Sequence, residues 1–232
     1  MLDVRKFNSL GAADHGWLNA HHHFSFADYQ DPARMGWGAI RVWNDDWIAA
    51  GTGFAPHSHR DMEIITYVRS GAITHKDSLG NVGRTEAGDV QVMGAGSGVT
   101  HSEFNLESVD ATLFQIWVHP RTPGGAPHWG AKQFPKQANG IGWTILASGY
   151  DSDADALHIN ADARVLGAKL LAGQTITHQV ETGRSAYLVP ASGSITLNDV
   201  DVAARDGAAL GGGEAYSITA TTDCALVLVD TP

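Results

Sequence analysis

The feature that most constrains the fold of this chain is an internal repeat. Gly51 precedes the segment Ser70–Thr74 by the same number of residues that separates Gly173 from Ser192–Thr196, and both segments read Ser-Gly-x-Ile-Thr. A glycine directly before a strand-forming run is typical of a tight turn that leads into a strand. Matched turns at matched spacing predict two copies of one β unit, arranged in tandem.

The rest of the chain also favours strands over helices. Glycine accounts for 27 of the 232 residues and is scattered, as in chains with many short strands joined by turns. Helical periodicity is weak, and Ala27–Met35 and Asp151–Ala156 are the best candidates for short helical turns. Strands are predicted for Ala39–Trp43, Glu63–Val68, Val90–Met93, Thr112–Val118, Arg164–Leu171, Ala186–Val189, Ser194–Leu197 and Ala225–Val229. The sequence therefore predicts an all-β fold.

A composition change marks the expected connection between the two units. The segment Pro120–Gly142 holds four of the eight prolines together with several glycines. Such segments are typical of a connection between compact units rather than of a strand. We expect one domain over residues 1–130 and a second over residues 131–232, each long enough to bury its own core.

Charge and cysteine content exclude several classes of protein. The formal net charge is −10 with no visible basic face, so direct binding to nucleic acid is not expected. No stretch approaches the about 18 apolar residues of a membrane helix, and the residues after Met1 do not resemble a signal peptide. Cys224 is the only cysteine, which excludes an intrachain disulfide and favours the cytoplasm. We expect a monomer, because two fused barrels can cover each other.

Two short motifs place metal-ligating residues two positions apart. They are His57-x-His59 and, after the glycine-rich turn at residues 94–98, His101-x-Glu103. Residues two apart on a strand point to the same side. If the two strands are neighbours inside a barrel, three imidazole nitrogens and one carboxylate oxygen converge, a set that suits Fe, Mn, Ni, Cu or Zn. A six-coordinate ion would then keep up to two positions open for a substrate oxygen or O2.

These residues resemble the cupin superfamily and, within it, the pirin family. The set Gly51, His57, His59 and Glu63 looks like the first cupin motif, and the set Gly88, Gly98, His101 and Asn105 looks like the second. The segments that resemble the pirin signature are Asp14–Leu18, Phe24–Tyr29, Asp31–Pro32, Arg41–Val42, Asn44–Asp46, His57–Glu63, Met93–Gly98, His101–Glu103 and Phe114–Trp117. The likeness is dense in the first half and thinner afterwards, and is closest to bacterial pirin-like quercetin 2,3-dioxygenases. It implies two tandem cupin (jelly-roll) β-barrels, a bicupin.

The resemblance also implies which carboxylate binds the metal, which spacing alone leaves open between Glu63 and Glu103. In pirins the ligands are the residues that match His57, His59, His101 and Glu103 of this chain. Glu63 then either orients a ligand imidazole or forms a hydrogen bond to the backbone. The family's N-terminal segment packs near the pocket, so Phe26 and Met35 are candidates to flank its mouth.

The second copy of the repeat lacks the ligands. When the copies are matched by their glycines, Gln179 and Glu181 stand where His57 and His59 stand in the first, and His178 is one position out of register. No His-x-Glu motif follows the glycines of the second copy. We expect a degenerate C-terminal barrel without a metal site, in which His178 is an ordinary hydrogen-bonded histidine.

A further cluster, His21–His23, has a structural interpretation. Consecutive residues of a strand point to alternating faces, so three adjacent histidines cannot all bind one ion.

Three functions fit these expectations. The first is a metal-dependent dioxygenase resembling quercetin 2,3-dioxygenase, which opens a flavonol ring with O2 and uses Glu103 as both ligand and base. Its ion would be Fe(II) first, with Cu, Ni, Mn, Zn or Co as alternatives. The second is a metal-dependent, redox-sensing regulatory protein that acts through protein partners. The third is a metal-holding cupin for an unrelated small molecule.

Overall fold

Nearly all regular structure in this chain is β-strand, in a computed structural model that describes residues 1–134, 136 and 142–232. The first half contains β1 (Leu2–Arg5), β2 (Gly11–Asp14), β3 (Leu18–His22), β4 (Ile40–Ile48), β5 (Gly53–His59), β6 (Glu63–Ser70), β7 (Ala72–Asp77), β8 (Val82–Glu86), β9 (Val90–Gly94), β10 (Val99–Phe104), β11 (Ala111–Val118) and β12 (His128–Lys132). The second half contains β13 (Thr144–Ser148), β14 (Leu157–His158), β15 (Arg164–Leu170), β16 (Thr175–Val180), β17 (Ser185–Ser192), β18 (Ile195–Leu197), β19 (Val200–Val202), β20 (Gly207–Gly211), β21 (Glu214–Ala220) and β22 (Cys224–Thr231). The predicted all-β fold is confirmed.

Helical structure is limited to two short 3-10 helices among the described residues, Phe7–Ser9 and Pro32–Arg34. The second lies within Ala27–Met35, where the sequence predicted a short helical turn. Asp151–Ala156, the other candidate, forms turns without a helix. In the part of the chain that the structure covers, no helix is long and apolar enough to cross a membrane.

The strands form two barrels, each of one seven-stranded and one four-stranded sheet. The strand orders are β12-β9-β6-β11-β4-β3-β2 with β5-β10-β7-β8 in the first barrel, and β1-β20-β17-β22-β15-β13-β14 with β16-β21-β18-β19 in the second. The same pair of sheet sizes occurs twice, as the repeated turns in the sequence predict.

Two strands depart from the predicted division at residue 130. Strand β1 lies in the predicted first domain but pairs with β20 of the second barrel, with Leu2 opposite Leu210. Strand β12 runs across residue 130 and pairs with β9 of the first barrel. The first barrel thus extends beyond residue 130, and the second takes the first strand of the chain. The predicted connection Pro120–Gly142 contains β12 and lies partly outside the described residues.

The two large sheets pack face to face, and this contact is the largest apolar core of the molecule. Trp43 of the first sheet contacts Tyr187 of the second, with ring centroids 5.5 Å apart, and also packs against Phe114 of its own sheet. All three side chains are fully buried. Burial of such aromatic area contributes on the order of 2–3 kcal/mol per side chain, so each barrel depends on the other for stability.

The interiors of the two barrels differ. The second is filled by apolar side chains such as Leu188, Leu197, Tyr216 and Leu228. The first has two smaller apolar clusters, and polar side chains lie between them on the strands. On β6, for example, Thr66 lies between Ile64 of one cluster and Val68 of the other. On β11, Gln115 lies between Leu113 of one cluster and Trp117, which packs against the other. We call this set of buried side chains (Thr66, Gln91, Glu103 and Gln115) the polar layer.

A buried ion pair joins the barrels at the edge of their contact. Asp45 of β4 is fully buried and accepts hydrogen bonds from Arg69 of β6 and from Arg205 of the second barrel, the latter with Nε to Oδ2 at 2.5 Å. The Arg205 guanidinium carbon also lies 3.8 Å from the centroid of the Phe7 ring. One carboxylate therefore balances two guanidinium groups from different barrels.

Replacing Asp45 by Asn should destabilise the protein by about 2–4 kcal/mol, because it removes the buried charge that balances the half-buried guanidinium groups of Arg69 and Arg205. The free energy of unfolding in guanidinium chloride, followed by tryptophan fluorescence, measures this loss. The exposed Asp28 provides the control, since Asp28→Asn should change stability by less than about 0.5 kcal/mol. Equal stabilities for the two variants would contradict the argument.

A second buried polar group lies in the same contact between the barrels. His23 is fully buried, and its Nδ1 lies 2.9 Å from the hydroxyl of Tyr187. Its Nε2 has no hydrogen-bond partner among the described residues. Burial, with smaller contributions from Arg5 and Arg34, lowers the pKa of His23 to about 3. The folded protein therefore holds this ring in its neutral form.

This lowered pKa predicts acid-dependent stability. Because the unfolded chain binds the proton near pH 6.5 and the folded chain only near pH 3, the contribution of His23 is complete above pH 6.5 and is lost as the pH falls. Between pH 7.5 and pH 5, the contribution of His23 to the free energy of unfolding should fall by about 2 kcal/mol. His23→Asn, which retains an acceptor for Tyr187, should reduce the pH dependence of unfolding by that amount, and His15→Asn at an exposed site should not. If the free energy of unfolding had the same pH dependence in wild type and His23→Asn, the assignment of this effect to His23 would be refuted.

Candidate metal centre

Strand pairing brings the two predicted motifs side by side. β5 and β10 are antiparallel neighbours in the small sheet of the first barrel, with His57 opposite His101 and a shift of register between His101 and Glu103. Gly53 makes the close approach possible, because a Cβ atom at this position would lie 2.3 Å from the backbone oxygen of Glu103. The sequence analysis took this adjacency as a condition for the centre, and the structure shows that the two strands are neighbours.

Three of the four predicted ligands form one group. The ligand atoms of His57, His59 and His101 all lie within 4.8 Å of one another. The Nε2 atoms of His57 and His101 are 3.1 Å apart. Two nitrogens bound to one ion at about 2.1 Å lie roughly 3.0–3.4 Å apart at ordinary coordination angles. The spacing of this pair therefore suits a single ion.

Glu103, the fourth predicted ligand, lies in a second group that shares His101 with the first. Its carboxylate is buried and accepts hydrogen bonds from Gln91 Nε2 at 2.6 Å and Gln115 Nε2 at 2.9 Å. Thr66 donates to the same carboxylate at 3.4 Å. Glu103 thus points into the polar layer.

The third member of that second group is His75, which the sequence analysis did not identify. His75 of β7 is opposite Glu103 of β10, and the ligand atoms of His75, His101 and Glu103 lie within 4.8 Å of one another. The local signal was a His-x-Asp pattern, His75 and Asp77, on the strand that follows the first copy of the repeat. Only the pairing of β7 with β10 shows that this strand faces the centre.

Burial controls the protonation of the centre. Burial, with smaller effects of neighbouring histidines, lowers the pKa of His101 to about 3 and that of His59 to about 4. Burial raises the pKa of Glu103 to about 7, although the hydrogen bonds from Thr66, Gln91 and Gln115 act in the opposite direction. At neutral pH both of these imidazoles are unprotonated and can donate lone pairs to a cation.

The hydrogen bond of His57 supports the fit to a metal ion. Its Nδ1 lies 2.8 Å from the carbonyl oxygen of Ala55, which can only accept, so Nδ1 carries the proton. The Nε2 lone pair of His57 then points at Nε2 of His101. A backbone carbonyl behind an imidazole is a common support for a metal-binding histidine.

Glu63 lies on the opposite side of its strand from this centre. It shares a face of β6 with Ile65, which belongs to the core between the barrels. Its carboxylate lies beside the backbone of Asn160, and its Oε2 lies 3.9 Å from Nε2 of His128. Of the two roles expected for Glu63, contact with backbone fits this position, because the side chain points away from the ligand imidazoles.

Aromatic side chains form one wall beside the histidines. The ring of Trp117 is edge-on to His59 with centroids 5.0 Å apart, and Phe26 is edge-on to Trp117 at 5.5 Å. Phe26 thus lies one ring away from the centre, on the side where the family resemblance suggested a mouth. Met35 is 48% exposed.

Potential metal-binding groups of His, Cys, Asp and Glu occur, among the described residues, only in the first barrel. In the second barrel, Nε2 of His178 lies 2.9 Å from Oδ2 of Asp230, and Nε of Arg184 donates to Oδ1 of the same carboxylate. His178 is therefore a hydrogen-bonded histidine, as its position in the repeat suggested.

Comparison with known proteins gives matches over both halves of the chain. The Pirin family model matches residues 3–118, and the model of the quercetinase C-terminal cupin domain matches residues 145–231. A pirin-like protein of Caulobacter vibrioides is 60% identical, covering 99% of each chain, and a quercetin 2,3-dioxygenase of Escherichia coli is 39% identical, covering 100% of this chain and 99% of the relative. The crystal structure of the bacterial pirin YhhW from Escherichia coli in complex with nickel(II) superimposes with a TM-score of 0.94 at 39% identity, covering 100% of this chain and 99% of the other. The predicted pair of tandem cupin barrels is confirmed, and the nickel complex together with the histidine cluster supports a divalent metal.

The polar layer generates a prediction for stability. Gln115 donates to Glu103 and accepts from Nε1 of Trp117 at 3.1 Å, so Gln115→Met removes partners from the buried Glu103 carboxylate and from the partly buried Trp117 indole at nearly constant volume. We expect a loss of about 1–3 kcal/mol in the free energy of unfolding. The exposed Gln30 is the control, because Gln30→Met should be nearly neutral. An unchanged stability of Gln115→Met would show that these hydrogen bonds contribute nothing.

Proposed function

This chain belongs to the pirin family, and from that premise we propose that it is a metal-dependent dioxygenase that opens the central ring of a flavonol with O2. The observation that carries the proposal is the convergence of the His57 and His101 Nε2 atoms, 3.1 Å apart, beside His59 in one barrel. Relatives named quercetin 2,3-dioxygenase support a small aromatic substrate and O2 as the reactants.

The proposed metal ligands are His57, His59, His101 and Glu103. The ligand atoms of the three histidines already form one group, and Glu103 belongs to a second group that shares His101 with the first. For Glu103 to bind the same ion, its carboxylate has to exchange part of its contact with Gln91 and Gln115. We propose Fe(II) as the ion, since cellular supply rather than intrinsic affinity selects among first-row metals, with Cu, Ni, Mn, Zn or Co as alternatives.

Chemistry at this site needs a group that accepts the proton of the flavonol 3-hydroxyl. A bound divalent ion supplies Lewis acidity, which favours the deprotonated hydroxyl. Glu103 is the proposed base, because it is the carboxylate whose ligand atom lies with His101 in a potential metal-binding group. The wall of Trp117 and Phe26 offers flat apolar contact for an aromatic ring and excludes water from that side.

The proposal extends to the state of the protein in the cell. We propose a cytoplasmic monomer without direct contact to nucleic acid. The two large sheets cover each other's apolar faces, so a second chain is not needed to bury them. The net charge of −10 disfavours contact with a polyanion.

Oxygen uptake tests this function. Protein reconstituted with Fe(II), Mn(II), Ni(II) or Cu(II) should consume O2 when quercetin is added. His101→Ala should lower both metal affinity and O2 uptake by at least about 100-fold. Loss of a residue that only hydrogen-bonds to a metal ligand already lowers metal affinity or activity 10–100-fold, and loss of the ligand itself should cost more. His178→Ala, at a histidine of the second barrel, should leave both unchanged and is the matched control.

Two outcomes would contradict parts of the proposal. Tight metal binding without flavonol-dependent uptake would exclude the dioxygenase and favour the regulatory or the general metal-holding alternative. A Glu103→Gln variant that binds metal and turns over quercetin at the wild-type rate would exclude Glu103 as the base.

A further inference from the structure

We propose that His75 and Asp77 are positioning residues for the metal centre, in a hydrogen-bonded chain that runs from Asp77 through His75 to the ligand His101. The chain fixes the proton of His101 on Nδ1 and thereby presents Nε2 to the ion. This inference rests on the metal centre of the proposed function, but not on the identity of the substrate.

The carboxylate of Asp77 anchors the outer end of the chain. Its Oδ1 accepts hydrogen bonds from the backbone N–H groups of Leu79 at 3.0 Å and Asn81 at 2.9 Å. Its Oδ2 accepts from Nδ2 of Asn81 at 2.9 Å and lies 3.1 Å from Nε2 of His75. A carboxylate held in this way is an acceptor on both oxygens, so His75 must donate from Nε2.

The middle of the chain follows from the two nitrogens of a neutral imidazole. With its proton on Nε2, His75 has an acceptor at Nδ1. This atom lies 3.3 Å from Nδ1 of His101. His101 therefore donates from Nδ1, and its Nε2 has a free lone pair. That lone pair is directed at Nε2 of His57, 3.1 Å away, where an ion shared by the two nitrogens would lie.

Packing holds the ring of His75 in the orientation that this chain requires. His75 is fully buried and stacks on Trp129 of β12, with ring centroids 5.1 Å apart and an interplanar angle of 10°. Gly83 leaves space for that indole, since a Cβ atom at this position would lie 2.0 Å from it. Glu103 is the other acceptor near His75, but its oxygens are bound by the side chains of the polar layer.

The chain makes His101 different from His57. The Nδ1 of His57 donates to a neutral backbone carbonyl, whereas that of His101 is linked through one imidazole to a carboxylate. A carboxylate behind a metal-binding imidazole fixes its tautomer and raises its basicity, and loss of such a partner lowers metal affinity 10–100-fold. His101 should thus be the more strongly donating of these two ligands.

Two substitutions at position 75 separate hydrogen bonding from packing. His75→Phe keeps a flat ring against Trp129 but removes the acceptor for His101. His75→Asn loses the stacked ring but keeps an acceptor oxygen near the position of Nδ1. In calorimetric titration with Ni(II), we expect affinity to fall about 10–100-fold in His75→Phe, and to be at least fivefold higher in His75→Asn than in His75→Phe. A purely structural role of His75 predicts the reverse order.

A spectroscopic measurement follows the proton itself. In the Co(II)-substituted protein, the Nδ1 proton of His101 should give a paramagnetically shifted proton resonance that exchanges slowly with water. It should exchange faster in His75→Phe. If that variant does not fold, Asp77→Asn provides the same test, because it removes the charge at the end of the chain and should lower Ni(II) affinity.

The outcomes separate this inference from the proposed function. Wild-type Ni(II) affinity and an unchanged proton signal in His75→Phe would overturn the positioning role, and so would a weaker affinity in His75→Asn than in His75→Phe. Failure of the wild-type protein to bind Ni(II) would overturn the metal centre and this inference with it. Ni(II) binding without quercetin-dependent O2 uptake would overturn the substrate alone.

Discussion

The constraint on which the first barrel depends is that polar groups removed from water must be hydrogen-bonded inside it. A carboxyl group buried without partners costs several kcal/mol, of the order of the whole stability of a domain. Glu103 avoids this cost because Gln91, Gln115 and Thr66 all donate to it. The polar layer then separates the apolar interior into two small clusters. The first barrel therefore has a weaker apolar core than the second, and the packing of the two large sheets compensates for it.

Much of the candidate centre could be predicted from the sequence because the geometry within each motif is local. Residues two apart on a strand point to one side, which groups His57 with His59 and His101 with Glu103, and the family resemblance brought the two motifs together. The same rule could not place Glu63. The two residues after it are both apolar: Ile64 faces the barrel interior and Ile65 faces the second barrel. The strand therefore shows no apolar–polar alternation next to Glu63. Without that contrast, the sequence does not reveal which side of β6 Glu63 faces.

The features that the sequence did not reveal all depend on pairing between distant segments. His75 meets His101 only because β7 pairs with β10, 26 positions away along the chain. The sequence could not assign β1 to a barrel for the same reason, since Leu2 pairs with Leu210 and no local pattern specifies a partner at that distance. The internal repeat, in contrast, predicted the number of barrels because each copy carries its own turns.

The two copies of the repeat differ in what fills their barrels. The second barrel is filled mainly by apolar side chains such as Leu188, Leu197 and Tyr216, and their packing contributes stability. Its buried Asp230 is paired with His178 and Arg184. The second barrel also stabilises the first through the face that they share, where Asp45 is bound by Arg69 of the first barrel and Arg205 of the second. Two barrels thus separate two demands that conflict within one core: the second barrel supplies apolar burial, and the first brings the imidazoles of His57, His59 and His101 close together.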